Sequence, residues 1–323
     1  MKRRDFLKGA AVLTNAAAFG RFTAARGQSS PPCPVTLLAM PDYGRDLEKE
    51  IASVMAADGL ALKGKKVLLK PNYVEAHPER PINTHPAVIA NVAHACLRLG
   101  AAEVTVGEAS GHRRDPWFSV LNPSLKAMLD KRVRCADMNH GDAVATANKG
   151  NFTGLAAFYL ARAVAEADVM ISLPKMKTHH YAGVTLCLKN LFGVLPGIYY
   201  GWPKNVLHFQ GIERSILDLA RTVKVHYGIV DGVVGMEGDG PIMGKAKPVG
   251  VLVLSPFPLA ADATVSRLMG FDPRKILYLF NAGRFLPGLR TEDTLLRGEN
   301  PRRFATQFDC LDDFKKLRGG PFF

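Results

Sequence analysis

The sequence predicts an α/β protein: a mostly parallel central sheet with flanking helices, leaving room for a small inserted or C-terminal lobe. Three observations carry this. Short apolar runs at 35–39, 65–69, 102–106, 169–173 and 249–254 are too short for globular helices and read as buried strands. Segments with helical spacing separate several of them, the alternation that builds parallel sheets with right-handed crossovers. Polar and charged residues follow the runs directly, and a parallel sheet places its ligands outside the carboxyl ends of its strands.

In chain order, residues 1–26 join a charged start, with Arg3 and Arg4 followed by Phe6, Leu7 and Lys8, to a weakly hydrophobic alanine-rich stretch. The pattern resembles a twin-arginine export signal, with an amphipathic amino-terminal helix on a cytoplasmic protein as the alternative. Export by the twin-arginine machinery, which carries folded proteins, would make the chain periplasmic or otherwise extracytoplasmic. A Ser/Pro linker over 27–34 follows, and Cys33 after Ser-Pro-Pro is a poor lipoprotein processing site. No later apolar run reaches the length of a membrane span, so none is expected in the mature chain.

The main α/β domain is expected over 35–280. A helix at 46–57 follows the first strand, and the second strand runs into Lys70, Pro71 and Asn72. A helix begins near Thr84 with Pro86 in its first turn, and Val88, Val92, Ala95, Cys96 and Leu99 hold one face to a core until Gly100 ends it. The third strand leads into Gly107, Glu108, Ala109, Ser110, Gly111 and His112. An irregular then helical stretch at 115–130, an edge strand at 133–136, a polar hairpin or insertion at 140–154 and a helix around 155–166 lead to the central strand at 169–173. Beyond it the spacing predicts a helix over 183–191, an aromatic-bearing loop over 196–205 and a helix over 210–223. A strand at 228–230 feeds Asp231 and a glycine-rich loop at 235–244. The strand at 249–254, a helix at 259–269, a short strand at 276–279 and a basic, loop-rich extension at 281–323 complete the chain.

With 47% hydrophobic and 22% charged residues in 323, there is ample chain for a large core. The net charge is +13, of which six positive charges against Asp5 lie in the first 26 residues, leaving +8 on the remainder. That excess favours small anionic ligands or loose association with anionic surfaces. Nucleic acid is not an expected partner, because the basic groups sit beside strand ends and no recognition motif accompanies them. Five scattered cysteines without a Cys-x-x-Cys pair argue against a disulfide framework and against an intrinsic iron–sulfur cluster. One long-range disulfide stays open if the chain is exported, whereas Cys96 and Cys187 read as single buried thiols.

Parallel strands would gather their terminal residues along one edge, as a cationic floor for a carboxylate or phosphate with an imidazole as acid or base. On this reading His179, Lys175 and Lys177 are the candidate catalytic residues. Lys70, Asn72, Ser110, Lys189 and Asn190 are the candidates for binding substrate, and Glu108, Asp231, Glu237 and Asp239 for holding a divalent metal. Each piece has a blander alternative. A single lysine after a strand is usually a solvent-facing charge, His180 reads equally as exposed, His112 as a loop histidine, and His77, His85 and His208 have no informative spacing. The 235–244 segment lacks the phosphate-loop, dinucleotide and EF-hand patterns and reads equally as a tight structural loop. A zinc set of His179, His112 and a carboxylate has no supporting spacing, and Ser110 with His112 is not a nucleophile elbow.

VLLKPN at 67–72, THPAVI at 84–89, GAAEVTVGEASG at 100–111, LPKMKTHHYAGVTLCLKNLFG at 173–193 and VDGVVGMEGDGP at 230–241 together resemble the DUF362 family, in its motif order and over roughly 35–279. The resemblance implies a common α/β domain and groups Lys70, Asn72, Glu108, Lys175, Lys177, His179, Lys189, Asn190, Asp231 and Glu237. It also implies an association with redox or cofactor-related proteins, although this chain lacks the cysteine-rich cluster motifs of the fused members. The cofactor is left open. The expected function is an exported enzyme acting on a small anionic substrate or cofactor-bearing molecule. The alternatives are a non-catalytic periplasmic anion-binding or assembly protein, or a redox protein using an external cofactor.

Overall fold

The apolar runs assemble into one twisted sheet whose two faces are both covered. The computed structural model describes residues 32–75, 77, 80–112 and 120–323. The expected export signal at 1–26, most of the expected linker and residues 115–119 of the expected irregular stretch lie outside the described residues. The strands are β1 (Cys33–Ala39), β2 (Lys66–Pro71), β3 (Glu103–Glu108), β4 (Val133–Asp137), β5 (Ala143–Ala147), β6 (Ala157–Ala161), β7 (Val169–Leu173), β8 (Lys175–His179), β9 (Gly183–Thr185), β10 (Tyr227–Glu237), β11 (Lys245–Ser255) and β12 (Thr294–Gly298). The helices are α1 (Glu48–Ala57), α2 (Pro86–Arg98), α3 (Pro123–Met128), α4 (Arg162–Glu166), α5 (Gly197–Tyr200), α6 (Asn205–Phe209), α7 (Ile212–Thr222), α8 (Pro258–Leu268) and α9 (Leu277–Ala282).

The strand order is β12-β1-β11-β10-β7-β2-β3-β4. From β10 to β4 every pairing is parallel, and β12 is parallel to β1. β11 is the exception, antiparallel to both β10 and β1. Alternation sorts each strand between two cores. Val67, Leu69, Val104, Val106, Val169 and Ile171 pack with α1 and α2, while Leu68 and Met170 join α7, α8 and α9 on the opposite face. Each such side chain, fully buried, contributes about 1.5–3 kcal/mol. α2 is started by His85, whose Nδ1 accepts the Ala87 N–H at 3.2 Å, with Pro86 at its first position.

The site is positioned by one departure from a flat parallel sheet. β10 is eleven residues long, so it pairs with β7 at its start and with β8 farther on, Asp231 lying opposite Lys175 and Met236 opposite Lys177. β8 and β9 form an antiparallel arm on this extension, beyond the ends of β2 and β3.

Several local expectations are corrected. Residues 155–166 are not one helix: Ala157–Ala161 pairs with Ala143–Ala147 in a separate two-stranded sheet, and only α4 is helical. The expected helix over 183–191 is instead β9 followed by a 3-10 turn at Lys189–Val194. Gly183 has φ +82°, a left-handed conformation that starts no helix, and β-branched Val184 and Thr185 pair with β8. Buried Asp262 of α8 then accepts the Cys187 and Leu188 N–H groups at 2.7 and 3.0 Å, fixing the turn that follows. Residues 276–279 form the start of α9 rather than a strand, an ambiguity inherent in short apolar runs. The 235–244 loop is shorter than expected, since β10 continues to Glu237 and β11 resumes at Lys245. Past residue 281, β12 pairs with β1, Phe304 and Phe308 are buried, and Leu317 approaches Gly183 beneath the β8–β9 arm. Among the described residues no helix is long and apolar enough to cross a membrane.

Candidate active site

Where β2 and β3 end, Lys70 and Glu108 face each other from adjacent parallel strands and close an ion pair at 2.8 Å, both side chains buried. The Lys70 ammonium spends its three protons on Pro71 O at 2.7 Å, Glu108 Oε2 at 2.8 Å and Asn190 Oδ1 at 2.8 Å. Burial pulls the Lys70 ammonium down and pushes the Glu108 carboxyl up, while their mutual attraction opposes both shifts. The Gly193 backbone crosses directly over this pair, and a Cβ there would collide with Glu108 Oε1 and Lys70 Nζ.

The pair forms the floor of a cavity of about 470 Å³, walled by the 3-10 turn, the β8–β9 arm and the loop before α6. Lys189 lines it from the turn. Its side chain is half-buried, its ammonium lies 4.0 Å from the Phe192 ring centroid, and it makes no hydrogen bond or ion pair among the described residues. Burial, then the Lys70 cation, lower its pKa to about 7 against the opposing pull of Glu108. Lys204 enters from the opposite wall. It is buried, donates to Asn139 Oδ1 at 2.8 Å, and is lowered to about 7 by burial despite the Glu108 charge. Its backbone sits at φ +70°, a conformation costing a non-glycine residue about 1–2 kcal/mol. A strained residue presenting a desolvated ammonium to a cavity fits a functional role.

His179 is buried at the cavity wall. Its Nδ1 accepts the N–H groups of Tyr181 at 3.1 Å and Ala182 at 3.3 Å, so the neutral ring carries its proton on Nε2. Burial, then the charge of Lys189, hold its pKa well below the ordinary value. His179 is therefore a neutral hydrogen-bond donor, and of the acid and base roles open to it from the sequence, acceptance of a proton at Nδ1 would cost both backbone bonds. His112, His180 and His208 also line the cavity, with His180 Nδ1 3.2 Å from Asp239 and burial lowering His208.

The cavity brings together Lys70, Asn72, Glu108, His179, Lys189, Asn190 and Asp239 of the sequence candidates. Lys175, Lys177, Asp231, Glu237 and Ser110 do not line it. Lys175 is consumed in a buried cluster, 2.9 Å from Asp231 and 2.7 Å from Tyr43 OH, with His85 stacked on the Tyr43 ring. Lys177 donates to Ile82 O at 2.7 Å and Pro241 O at 3.3 Å, tying two loops together. Glu237 accepts the Asp309 N–H and pairs with Lys247, and the Ser110 carbonyl accepts from Asn139 Nδ2 at 3.2 Å. The four carboxylates expected to hold a metal are thus parted, each paired with a different basic residue, and no three His, Cys, Asp or Glu side chains among the described residues form a ligand group. Sequence reasoning missed Lys204, Asn139 and His208. The Trp202-Pro203-Lys204 run was a visible signal, but a left-handed lysine cannot be read from spacing.

Comparison with known proteins relates the chain to a family. Residues 67–267 match a family described as "Domain of unknown function (DUF362)". Over 219 residues the chain is 28% identical to "Thylakoid-associated protein sll1697" of Synechocystis sp. (strain ATCC 27184 / PCC 6803 / Kazusa), an alignment covering 66% of this chain. The chain spans 65% of the length of that relative. Among solved structures, the lactate racemase apoprotein from Thermoanaerobacterium thermosaccharolyticum superimposes with a TM-score of 0.40 at 14% identity, covering 74% of this chain and 57% of that one.

Proposed function

This chain belongs to the DUF362 family, and we propose that it is an enzyme that binds a small anion in the Lys70–Glu108 cavity and transfers a proton to or from it through Lys189. The observation that carries the reading is Lys189 itself. An ammonium beside a cavity, without a carboxylate or carbonyl partner and with its pKa near 7, exchanges a proton readily at neutral pH. The other groups then have distinct tasks. Lys204, already oriented by Asn139, attracts the anionic group. His179 donates from Nε2 to an oxygen on which charge develops. Lys70, saturated with acceptors, holds Glu108 in place and neutralises its charge at the floor.

The experiment is solvent exchange. The wild type, incubated in D₂O with a panel of small hydroxy and oxo acids, is expected to exchange a carbon-bound proton of at least one member, followed by ¹H NMR. Lys189→Met is expected to abolish exchange while binding of that anion persists. Binding without exchange across the panel would turn the reading toward a non-catalytic anion-binding protein.

The reading extends to location. The Arg3-Arg4 pattern supports twin-arginine export to the periplasm. Cell fractionation is expected to find the wild-type chain outside the cytoplasm and the double variant Arg3→Lys, Arg4→Lys inside it; a cytoplasmic wild type contradicts export.

A further inference from the structure

We propose that the cavity takes an anion carrying an aromatic ring, its charge held by the lysines and its ring laid against an aromatic arm at the opening; this rests on the anion-site reading above. The inference comes from a run of rings that line the cavity in contact with one another. Phe192 meets His208 with centroids 5.9 Å apart, His208 meets Tyr181 at 6.2 Å, Tyr181 meets His180 at 4.3 Å, and His180 meets His179 at 5.3 Å. The Lys189 ammonium, 4.0 Å from the Phe192 centroid, stands at one end of the run.

The local chain path explains the arm. β8 and β9 are joined by residues 180–182 alone, so His179-His180-Tyr181 passes from a buried strand to the surface in a single turn. His179 stays inside and accepts the Tyr181 and Ala182 N–H groups, which fixes that turn. The His180 N–H donates to Gly240 O at 2.8 Å, and its ring is held 3.2 Å from Asp239. Tyr181 is left 62% exposed, and Met243, which lines the same cavity, is 60% exposed. With Ile242 and Val74 these two side chains put apolar surface around the opening, the setting in which exposed apolar groups mark a ligand groove.

The cavity is therefore divided in polarity, with Lys189 and Lys204 above the Lys70–Glu108 floor and apolar groups at the opening. A sulfate or a three-carbon acid meets the lysines and leaves the opening wet. The volume of about 470 Å³ instead falls in the range of roughly 300–1,000 Å³ typical of sites that enclose larger organic molecules. A ring attached to the anion reaches Tyr181, His180 and His208, which are all at least partly exposed. Neighbouring rings of the arm meet edge to face, at 85° for His180 with Tyr181 and 66° for Tyr181 with His208, which leaves free ring surface that parallel stacking would cover. A saturated chain would bury against the same surface without the ring contacts, and an aromatic cation would meet the two lysines.

The test is calorimetric titration of the full chain with 3-phenylpropionate, 3-cyclohexylpropionate and propionate, with phenyl phosphate and methyl phosphate, and with 3-phenylpropanol as the uncharged control. The wild type is expected to bind at least one phenyl anion about tenfold or more tighter than its methyl or propionate counterpart, the gain from burying a phenyl-sized group. 3-Phenylpropionate should also exceed 3-cyclohexylpropionate by about threefold, a ring–ring contribution that hydrophobicity alone does not give. Tyr181→Ala, an exposed position whose backbone bond to His179 is kept, is expected to bring phenyl and cyclohexyl anions to equal affinity while propionate stays within about twofold; Tyr181→Phe should retain the wild-type preference. Equal affinities for phenyl anions and their small counterparts would overturn the proposal and leave the anion site standing. A cyclohexyl anion matching the phenyl one in the wild type, or an unchanged preference in Tyr181→Ala, would overturn it in favour of a site that reads only apolar bulk. If 3-phenylpropanol binds as tightly as 3-phenylpropionate, or if no anion binds, the proposal and the anion-site reading fall together.

Discussion

The titration of Lys189 is the most exposed quantity in this account. Burial and the Lys70 cation bring it from 10.5 to about 7, a differential of on the order of 5 kcal/mol between its protonation states. At pH 7 about half of the Lys189 amines are then neutral, against about one in 2,500 for an ordinary lysine at 10.4. Trace acetylation with acetic anhydride across pH 5–10, read peptide by peptide by mass spectrometry, gives the midpoint independently of accessibility. The expected midpoint is near 7. Two perturbations fix the cause. Lys70→Met removes a neighbouring cation and should raise the midpoint, whereas Glu108→Gln removes the one charge that holds Lys189 up and should lower it further. A wild-type midpoint near 10, or the two variants shifting it in the opposite directions, would refute the reasoning.

Three further outcomes follow from the same contacts. Gly193→Ala drives a methyl into Glu108 Oε1 and Lys70 Nζ, and should cost about 1–3 kcal/mol of stability by urea denaturation together with loss of anion binding. Lys70→Met leaves Glu108 buried without its cation, about 3–5 kcal/mol at pH 8. Because the folded-state pKa of Glu108 is already raised and rises further without Lys70, the carboxyl's favourable contribution is present at low pH and lost as pH climbs. The variant should therefore recover part of its stability at pH 5, and equal losses at both pH values would contradict this. Lys175→Met breaks the buried pair with Asp231 and should lower stability by a similar 3–5 kcal/mol, yet leave the anion affinity of the folded protein within about twofold.

The parallel sheet was legible because β2 and β7 are short apolar runs buried on both faces and β3 alternates buried valines with partly buried polar residues, patterns that depend little on distant contacts. So was the floor of the site, since Lys70 and Glu108 end neighbouring strands and meet as soon as those strands pair. What spacing could not reveal was direction. Lys175, Lys177 and His179 alternate along one strand, yet the first two are consumed by Asp231, Tyr43 and two carbonyls brought from 43 to 241 in the chain, and only His179 lines the cavity. The turn carrying Lys189 was misread as a helix because Asp262, more than seventy residues later, captures the N–H groups that a helix would have used. Lys204 stayed hidden because its left-handed backbone and its bond to Asn139 are tertiary outcomes.

The central claim, that lysines with lowered pKa values hold a small anion in this cavity, is tested most directly by measuring affinity against pH. Glycerate and sulfate suit the purpose because neither titrates between pH 6 and 8. Lys204 titrates near 7 and binds an anion only when protonated, so affinity should fall about tenfold from pH 6 to pH 8, and about a hundredfold if Lys189 must be protonated as well. Lys204→Met should remove both the binding and its pH dependence. An affinity that is flat across this range, or unchanged in Lys204→Met, would contradict the account.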